Sequence, residues 1–136
     1  MIRSHKRAEG SERPITFNAA ERLNAFDLAH LWADRTAWPI DERTHYDELA
    51  ELACMAALTA WLGRWIPIAI HGALIAGAKP EAVAGAFGAS LDVTFRRWDE
   101  WASRMRDAVV NGRRGITEEE YETVAQRFAV AGIVSR

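Results

Sequence analysis

The stretch AGAKPEAVAGAFGASLDVTFRRW, residues 76–98, decides the fold. Pro80 suits the first turn of a short helix, and Gly88 suits the left-handed turn that ends it. Ser90 is a preferred N-cap, so we expect a second helix to begin directly after it. Large apolar residues then recur at alternating spacings of four and three, which is typical of one buried helix face. They are Leu91, Phe95, Trp98, Ala102, Met105 and Val109. The pattern predicts two helices joined by a tight turn, the second ending at the Asn-Gly pair of residues 111–112.

Helical spacing also covers the chain before this stretch. Apolar residues recur at intervals of three and four over residues 18–38, which predicts one helix there. A second helix is predicted over residues 45–62, where Thr44 or Asp41 can serve as the N-cap.

The end of the chain predicts one more helix. Thr117 and Glu120 have the spacing of a capping box, so a helix begins there. Alternating strand patterns, fixed-period repeats and Asn-Gly hairpins between β-branched runs are not expected. The sequence therefore predicts an all-α fold, a multi-helix orthogonal bundle. We expect residues 1–14 to be a flexible basic arm and residues 15–136 to be a single domain.

Composition excludes several classes of protein. The chain has 136 residues, of which 49% are hydrophobic and 26% are charged, as in globular domains. The single cysteine, Cys54, excludes an intramolecular disulfide and any site with several cysteine ligands. The four histidines lack the spacing of a zinc site, and neither a nucleophile elbow nor a phosphate-binding glycine loop is found. We therefore expect no metal, no cofactor and no enzymatic activity.

One long apolar stretch raises the question of a membrane span. Residues 52–78 carry a single formal charge, Arg64, but Gly63 should end one helix and Pro67 should start another, over residues 67–76. Each half is shorter than the roughly 20 apolar residues that a span requires. The basic N-terminus is not followed by the apolar region of a secretory signal. The prediction is a soluble, cytoplasmic protein with no membrane contact.

Residues 66–98 resemble the helix-turn-helix of bacterial DNA-binding proteins. In that resemblance Val83 and Phe87 are buried residues of the first helix, and Ala84 is the small residue where the helices cross. Gly88 makes the turn, and Ser90 caps the recognition helix. The resemblance places the motif at about residues 79–98. It implies a small transcriptional regulator that binds double-stranded DNA and acts as a homodimer.

A recognition helix places its first-turn side chains against base edges in the major groove. With Leu91, Thr94, Phe95 and Trp98 facing inward, Asp92, Val93, Arg96 and Arg97 face outward. Arg96 or Arg97 can bond a guanine bidentately. Asp92 can accept from a cytosine amino group or only favour the helix dipole. We expect Lys79, Arg104 and the backbone amides at the helix start near Ser90 to contact DNA phosphates. The predicted DNA-binding residues are thus Lys79, Ser90, Asp92, Val93, Arg96, Arg97 and Arg104.

The charge distribution allows DNA binding without favouring it strongly. The net charge is −2, but residues 79–114 contain seven basic and five acidic side chains. Specific contacts and dimerisation would therefore have to supply most of the affinity. An alternative is a protein–protein interaction module that uses the helix-turn-helix structurally and docks a partner through some of its six tryptophans. A small-molecule effector is left open.

Overall fold

The computed structural model describes residues 13–34, 43–110 and 113–133. In chain order its elements are α1 (Phe17–Glu21), α2 (Ala25–Ala33), α3 (His45–Ile75), α4 (Pro80–Phe87), α5 (Leu91–Asp107), β1 (Val109–Val110), β2 (Arg113–Arg114) and α6 (Glu118–Val130). The prediction of an all-α protein is confirmed for this part of the chain. The contacts form two compact units, residues 1–63 and 64–136, with the boundary inside α3. The prediction of one domain over residues 15–136 stays a prediction, and most of the predicted arm, residues 1–12, lies outside the described residues.

The first unit packs α1 and α2 against the N-terminal part of α3. The indole Nε1 of Trp61 donates a hydrogen bond to the Leu23 carbonyl at 3.0 Å, and the Cys54 thiol donates to the Leu28 carbonyl at 3.1 Å. Both bonds tie α3 to the segment that contains α1 and α2. The buried core between them consists of five residues, all of them small except the leucine: Ala20, Leu28, Ala53, Cys54 and Ala57.

The predicted helix over residues 18–38 is wrong, because two helices occupy the described part of that range. Thr16 caps α1 by accepting from the Ala19 amide, and the side chain of Asn24 caps α2 by accepting from the Asp27 amide at 2.8 Å. Asparagine is among the best N-caps because its side-chain oxygen bonds an amide that the helix leaves free. The cap at Asn24 therefore starts a new helix where apolar spacing alone suggested continuity.

The predicted break at Gly63 is also wrong, because α3 continues through Gly63 and Pro67 to Ile75. Proline cannot donate a backbone hydrogen bond and costs a helix interior about 3 kcal/mol. Apolar packing on both sides outweighs that cost, since Leu58 packs against one core and Ile70 is buried in another. Within the described residues, α3 is the one helix long and apolar enough to cross a membrane by length and composition, a test that core helices of soluble proteins also pass.

The second unit contains the end of α3, the α4–α5 pair, the strands and α6. Trp98 is fully buried at its centre, with its ring centroid 5.6 Å from that of Phe128 and 5.1 Å from that of Tyr121. The Arg127 guanidinium donates to the Leu74 carbonyl at 2.7 Å, which ties α6 to α3. The core is formed by Ile70, Leu74, Val83, Trp98, Ala102, Ile116, Val124, Phe128 and Ile133.

The capping signals in this unit are confirmed. Gly88 ends α4 with a φ of 80°, in the left-handed region that favours glycine. The Ser90 hydroxyl accepts from the Val93 amide at 3.1 Å and so caps α5. Thr117 and Glu120 form the predicted capping box at the start of α6.

The expected continuation of α5 to Val109 is wrong. The helix ends at Asp107, and Val109–Val110 pairs antiparallel with Arg113–Arg114. These two short strands were not predicted from the sequence, and the second contains no β-branched residue. An Asn-Gly pair is strongly favoured as a two-residue hairpin connection, and valine is favoured in strands. Gly115 secures the segment to α5, since its amide donates to the Met105 carbonyl at 3.1 Å.

Candidate nucleic-acid interface

A three-residue turn connects α4 to α5. The amides of Gly88 and Ala89 both donate to the Ala84 carbonyl, at 2.8 and 3.2 Å, which ends α4 within a single turn. The Ser90 carbonyl then accepts both the Thr94 amide and the Thr94 hydroxyl, at 3.0 and 2.8 Å. These bonds fix the start of α5, so its first turn is held in a defined conformation.

The first two turns of α5 separate a buried side from an exposed one. Thr94 and Trp98 are buried, whereas Asp92, Val93 and Arg96 are exposed. This is the separation that the apolar spacing predicted, with Leu91 and Phe95 half-buried on the inner side. The structure thus brings three of the predicted DNA-binding side chains together on one exposed surface.

Arg97 differs from the other predicted contacts because it is only half-buried rather than exposed. Its guanidinium carbon lies 5.6 Å from the centroid of the Phe87 ring, a distance that permits a cation–π contact between α4 and α5. Phe87 is itself half-buried, and its predecessors Val83 and Ala84 are buried. The Arg97 side chain therefore lies across the α4–α5 pair.

The remaining predicted contacts lie at helix ends. Lys79 is the N-cap residue of α4 and is exposed, and its side chain makes no capping hydrogen bond. Ser90 is exposed at the N-cap of α5. Arg104 is exposed in the last turn of α5, about 12 Å along the axis from Arg96 at 1.5 Å per residue. Arg104 is therefore too far along the helix to share the contacts of the first turn.

Acidic residues interrupt the exposed basic residues of α5. Glu100 is exposed four residues from both Arg96 and Arg104, which is the spacing at which opposite charges on a helix surface interact. Asp92 and Asp107 add a negative charge at each end of the helix. The outer face of α5 therefore carries alternating charges rather than a continuous basic patch.

Sequence reasoning missed the two arginines of β2. Arg113 pairs with Val110 and Arg114 with Val109, so both follow directly after the end of α5 in the second unit. The signal was present in the sequence, because two valines precede the Asn-Gly pair. The hairpin adds two positive charges to the unit that contains the α4–α5 pair.

A buried histidine supports α5 from the end of α3. Trp98 Nε1 donates to His71 Nδ1 at 3.1 Å, and among the described residues His71 Nε2 has no hydrogen-bond partner. Burial lowers the pKa of His71, while the charge of Glu120 opposes that shift. His71 is therefore a neutral core residue that positions Trp98.

Two buried side chains outside the site have structural explanations. Cys54 is buried, and burial raises the pKa of its thiol, which disfavours the reactive thiolate. Among the acidic residues at the start of α3, Asp47 does not lie on a solvated face. Asp47 is buried and lies 2.8 Å from the Arg13 guanidinium, while Arg43 contacts Glu51 at 2.7 Å. In such a pair each charge compensates the other, so the burial of Asp47 needs no ligand to explain it.

No protein-family model matches the chain, and neither a curated protein nor a solved structure is significantly similar to it. Within residues 13–34, 43–110 and 113–133, no group of three or more His, Cys, Asp or Glu side chains could hold a metal ion. Functional inference for this protein therefore depends on the geometry of its own residues.

Proposed function

We propose that this protein binds double-stranded DNA through a helix-turn-helix made of α4, the Gly88 turn and α5. The end of α3 would complete a trihelical unit within an orthogonal bundle. The protein would act as a small dimeric regulator of transcription in the cytoplasm. The proposal rests mainly on one observation, the exposure of Asp92, Val93 and Arg96 on an α5 whose opposite side is anchored by Trp98.

The arrangement suits insertion of α5 into the major groove. A groove about 12 Å wide admits one helix, and side chains of its first turns reach the base edges. Arg96 has the exposure needed for a bidentate contact with guanine, and Val93 can contact a thymine methyl group. Arg97 is better placed for a phosphate near α4, because its guanidinium lies against Phe87.

Phosphate contacts would fix the position of the helix on the duplex. Lys79 and the capped start of α5 at Ser90 offer a charge and backbone amides for this purpose, and Arg104 offers a second charge. Because Asp92 and Glu100 lie on the same face, we expect a shallow salt dependence and low affinity for non-specific DNA. Specificity would then require two half-sites contacted by a dimer.

The test is a selection of bound fragments from random duplex DNA at low salt, followed by titration of the selected sequence. We expect Arg96→Ala to weaken binding by about 1–3 kcal/mol and to relax preference at one base pair, as for loss of a bidentate contact. Arg104→Ala should weaken binding to every DNA sequence by a similar factor. It should also reduce, by about one, the slope of the logarithm of the binding constant against the logarithm of the salt concentration. Arg22→Ala, an exposed arginine in the other unit, is the matched control and should bind normally.

One outcome would refute the proposal. If the wild-type chain and the Arg96→Ala/Arg97→Ala double variant bind random and genomic fragments equally poorly at low salt, α5 does not recognise DNA. The alternative of a protein–protein interaction module would then be preferred, with the α4–α5 pair serving only as its scaffold.

A further inference from the structure

Several large apolar side chains in the first unit lie on its surface. Leu28 is the one large aliphatic residue among the buried core residues there, and Leu23, Leu31, Trp32, Leu58 and Trp61 pack against that core half-buried. The part of α3 in this unit exposes Tyr46 and, further along, four leucine or methionine side chains: Leu49 by 40%, Leu52 by 63%, Met55 by 45% and Leu62 by 46%. A small unit that leaves several large apolar side chains exposed on one helix has a surface suited to burial against another molecule.

These exposed side chains form one stripe along the helix. We define the α3 stripe as Leu49, Leu52, Met55, Ala56, Thr59 and Leu62, all of them exposed. Leu52, Met55, Thr59 and Leu62 are separated by three, four and three residues, which is the spacing of the seam in a helix pair. Between Leu49 and Leu62 the one charged residue is Glu51, which is half-buried and bonded to Arg43. The stripe itself carries no charge.

Segments of this chain outside the described residues are poor candidates to cover the stripe. Residues 1–12, 35–42 and 134–136 contain mostly polar and charged side chains. Their large apolar residues are Met1, Ile2, Trp38, Ile40 and Val134, spread over three separate segments. Apolar residues scattered in this way do not form a continuous apolar surface that would complement the α3 stripe.

We propose that the α3 stripe is a self-association surface on which two copies of this chain pair their α3 helices antiparallel. An antiparallel pair related by a two-fold axis sets Leu52 against Leu62 of the second copy and Met55 against Thr59, so these four positions bring no charged side chain into the seam. A parallel pair would set Glu48, exposed just before the stripe, against its own copy. Like charges placed opposite each other are unfavourable, which favours the antiparallel arrangement.

The area of the stripe fits a modest dimer. Its six exposed side chains offer on the order of 500 Å², so a symmetric pair covers on the order of 1,000 Å², the lower limit for a specific interface. Two-fold pairs are the commonest oligomers, because one self-complementary surface serves both copies. A membrane-spanning placement of α3 is disfavoured because Arg64, two residues beyond the stripe, would have to enter the hydrocarbon, and vesicle flotation tests whether the stripe lies along a bilayer surface instead.

The first test is the association state of the full chain by sedimentation equilibrium over a range of micromolar concentrations. We expect wild type to dimerise and Leu52→Asp or Leu62→Asp to raise the dissociation constant at least about tenfold, because each buries a charge in an apolar seam. Val130→Asp places the same charge at an apolar residue that is 79% exposed on α6 and should leave association unchanged. If an aspartate variant loses the helical circular dichroism signal, Leu52→Ala replaces it. The readout is then the dependence of the melting temperature on protein concentration, which should be weaker for Leu52→Ala than for wild type.

Cross-linking tests the orientation. Oxidation of a mixture of Leu52→Cys and Leu62→Cys chains should give a disulfide-linked dimer, whereas each variant alone should not. Wild type, whose Cys54 is buried, is the control. Self-cross-linking of both single variants would overturn the antiparallel arrangement.

Two results would overturn the proposal itself. One is a wild-type chain that stays monomeric at 100 µM, a concentration chosen as about the highest convenient for this assay and far above a micromolar dissociation constant. The other is a monomer that floats with phosphatidylglycerol vesicles unless Leu52 is replaced, which would make a bilayer the occupant. The proposal supplies an interface for the dimer in the proposed function, but neither test uses DNA, so the two proposals can fail separately.

Discussion

Replacing Trp98 by phenylalanine tests how the second unit is held together. Trp98 is fully buried, donates to His71 Nδ1 at 3.1 Å, and has its ring centroid within 6.0 Å of those of Phe95, Phe128 and Tyr121. The smaller ring leaves part of this space empty and leaves the buried His71 nitrogen without its donor. An unsatisfied buried polar group costs about 1–3 kcal/mol, and full truncation of a buried tryptophan costs about 3–5 kcal/mol. We expect Trp98→Phe to lower the free energy of unfolding by about 2–4 kcal/mol.

A double-mutant cycle separates the hydrogen bond from the packing. His71→Leu removes the acceptor, and in the Trp98→Phe chain it removes a group that has already lost its partner. The double variant should therefore be more stable than the sum of the two single losses predicts, by about 1–2 kcal/mol. Urea unfolding of the full chain, followed by circular dichroism, measures all four proteins. Additivity within about 0.5 kcal/mol would refute the view that this hydrogen bond stabilises the unit.

The same cycle has a pH dependence with a definite sign. Burial lowers the pKa of His71 in the folded protein, so the unfolded chain binds a proton more readily. The stabilisation is complete above the unfolded pKa of about 6.5 and is lost as the pH falls below it. We expect wild type to lose stability more steeply than His71→Leu between pH 7 and pH 5. The other three histidines are present in both proteins, so equal slopes would show that His71 is not the responsible group.

Four further substitutions test three features of the fold by urea unfolding. Gly115→Ala should lower the free energy of unfolding by about 1–3 kcal/mol, because a Cβ there would lie 2.9 Å from a backbone carbonyl oxygen of α5. Gly72→Ala, with open space around it, should raise the free energy of unfolding by about 0.5–1 kcal/mol, because alanine is favoured over glycine in a helix such as α3. Equal changes in stability at the two glycines would contradict the close contact between residue 115 and the Met105 carbonyl. Asp47→Asn should cost about 3–5 kcal/mol because it removes the buried carboxylate charge that lies 2.8 Å from the Arg13 guanidinium, and a neutral result would argue against this ion pair. Ser90→Ala should cost about 0.5–2 kcal/mol through loss of the α5 N-cap, and an unchanged midpoint would argue against that cap.

The predicted helix ends are confirmed where the deciding hydrogen bonds join residues that are close together in the chain. Gly88 ends α4, Ser90 caps α5, and Thr117 caps α6 together with Glu120, as their spacing predicted. In each case the deciding hydrogen bond joins residues three or four apart. The buried and exposed sides of the first turns of α5 followed in the same way from apolar periodicity.

Signals that compete within one segment were misread. Val109 fits the helical period of α5 and also the strand before an Asn-Gly turn, and the hairpin prevailed. Gly63 and Pro67 are helix breakers on any propensity scale, yet α3 runs through both. Propensities of this size are outweighed when the flanking side chains are packed into cores, which a linear pattern does not reveal.

The sequence by itself determined that this protein is all-α, where α4, α5 and α6 begin, and which side of the first turns of α5 is buried, because these depend on caps and periodicity over a few residues. Only the tertiary structure decided that Asp47 is buried against Arg13, that His71 bonds Trp98, and that the α3 stripe is exposed. Each of these depends on which element covers a helix face, and that is a contact between residues far apart in the chain. Apolar spacing marks a face as suitable for burial, but the packed structure alone shows whether the chain itself covers it.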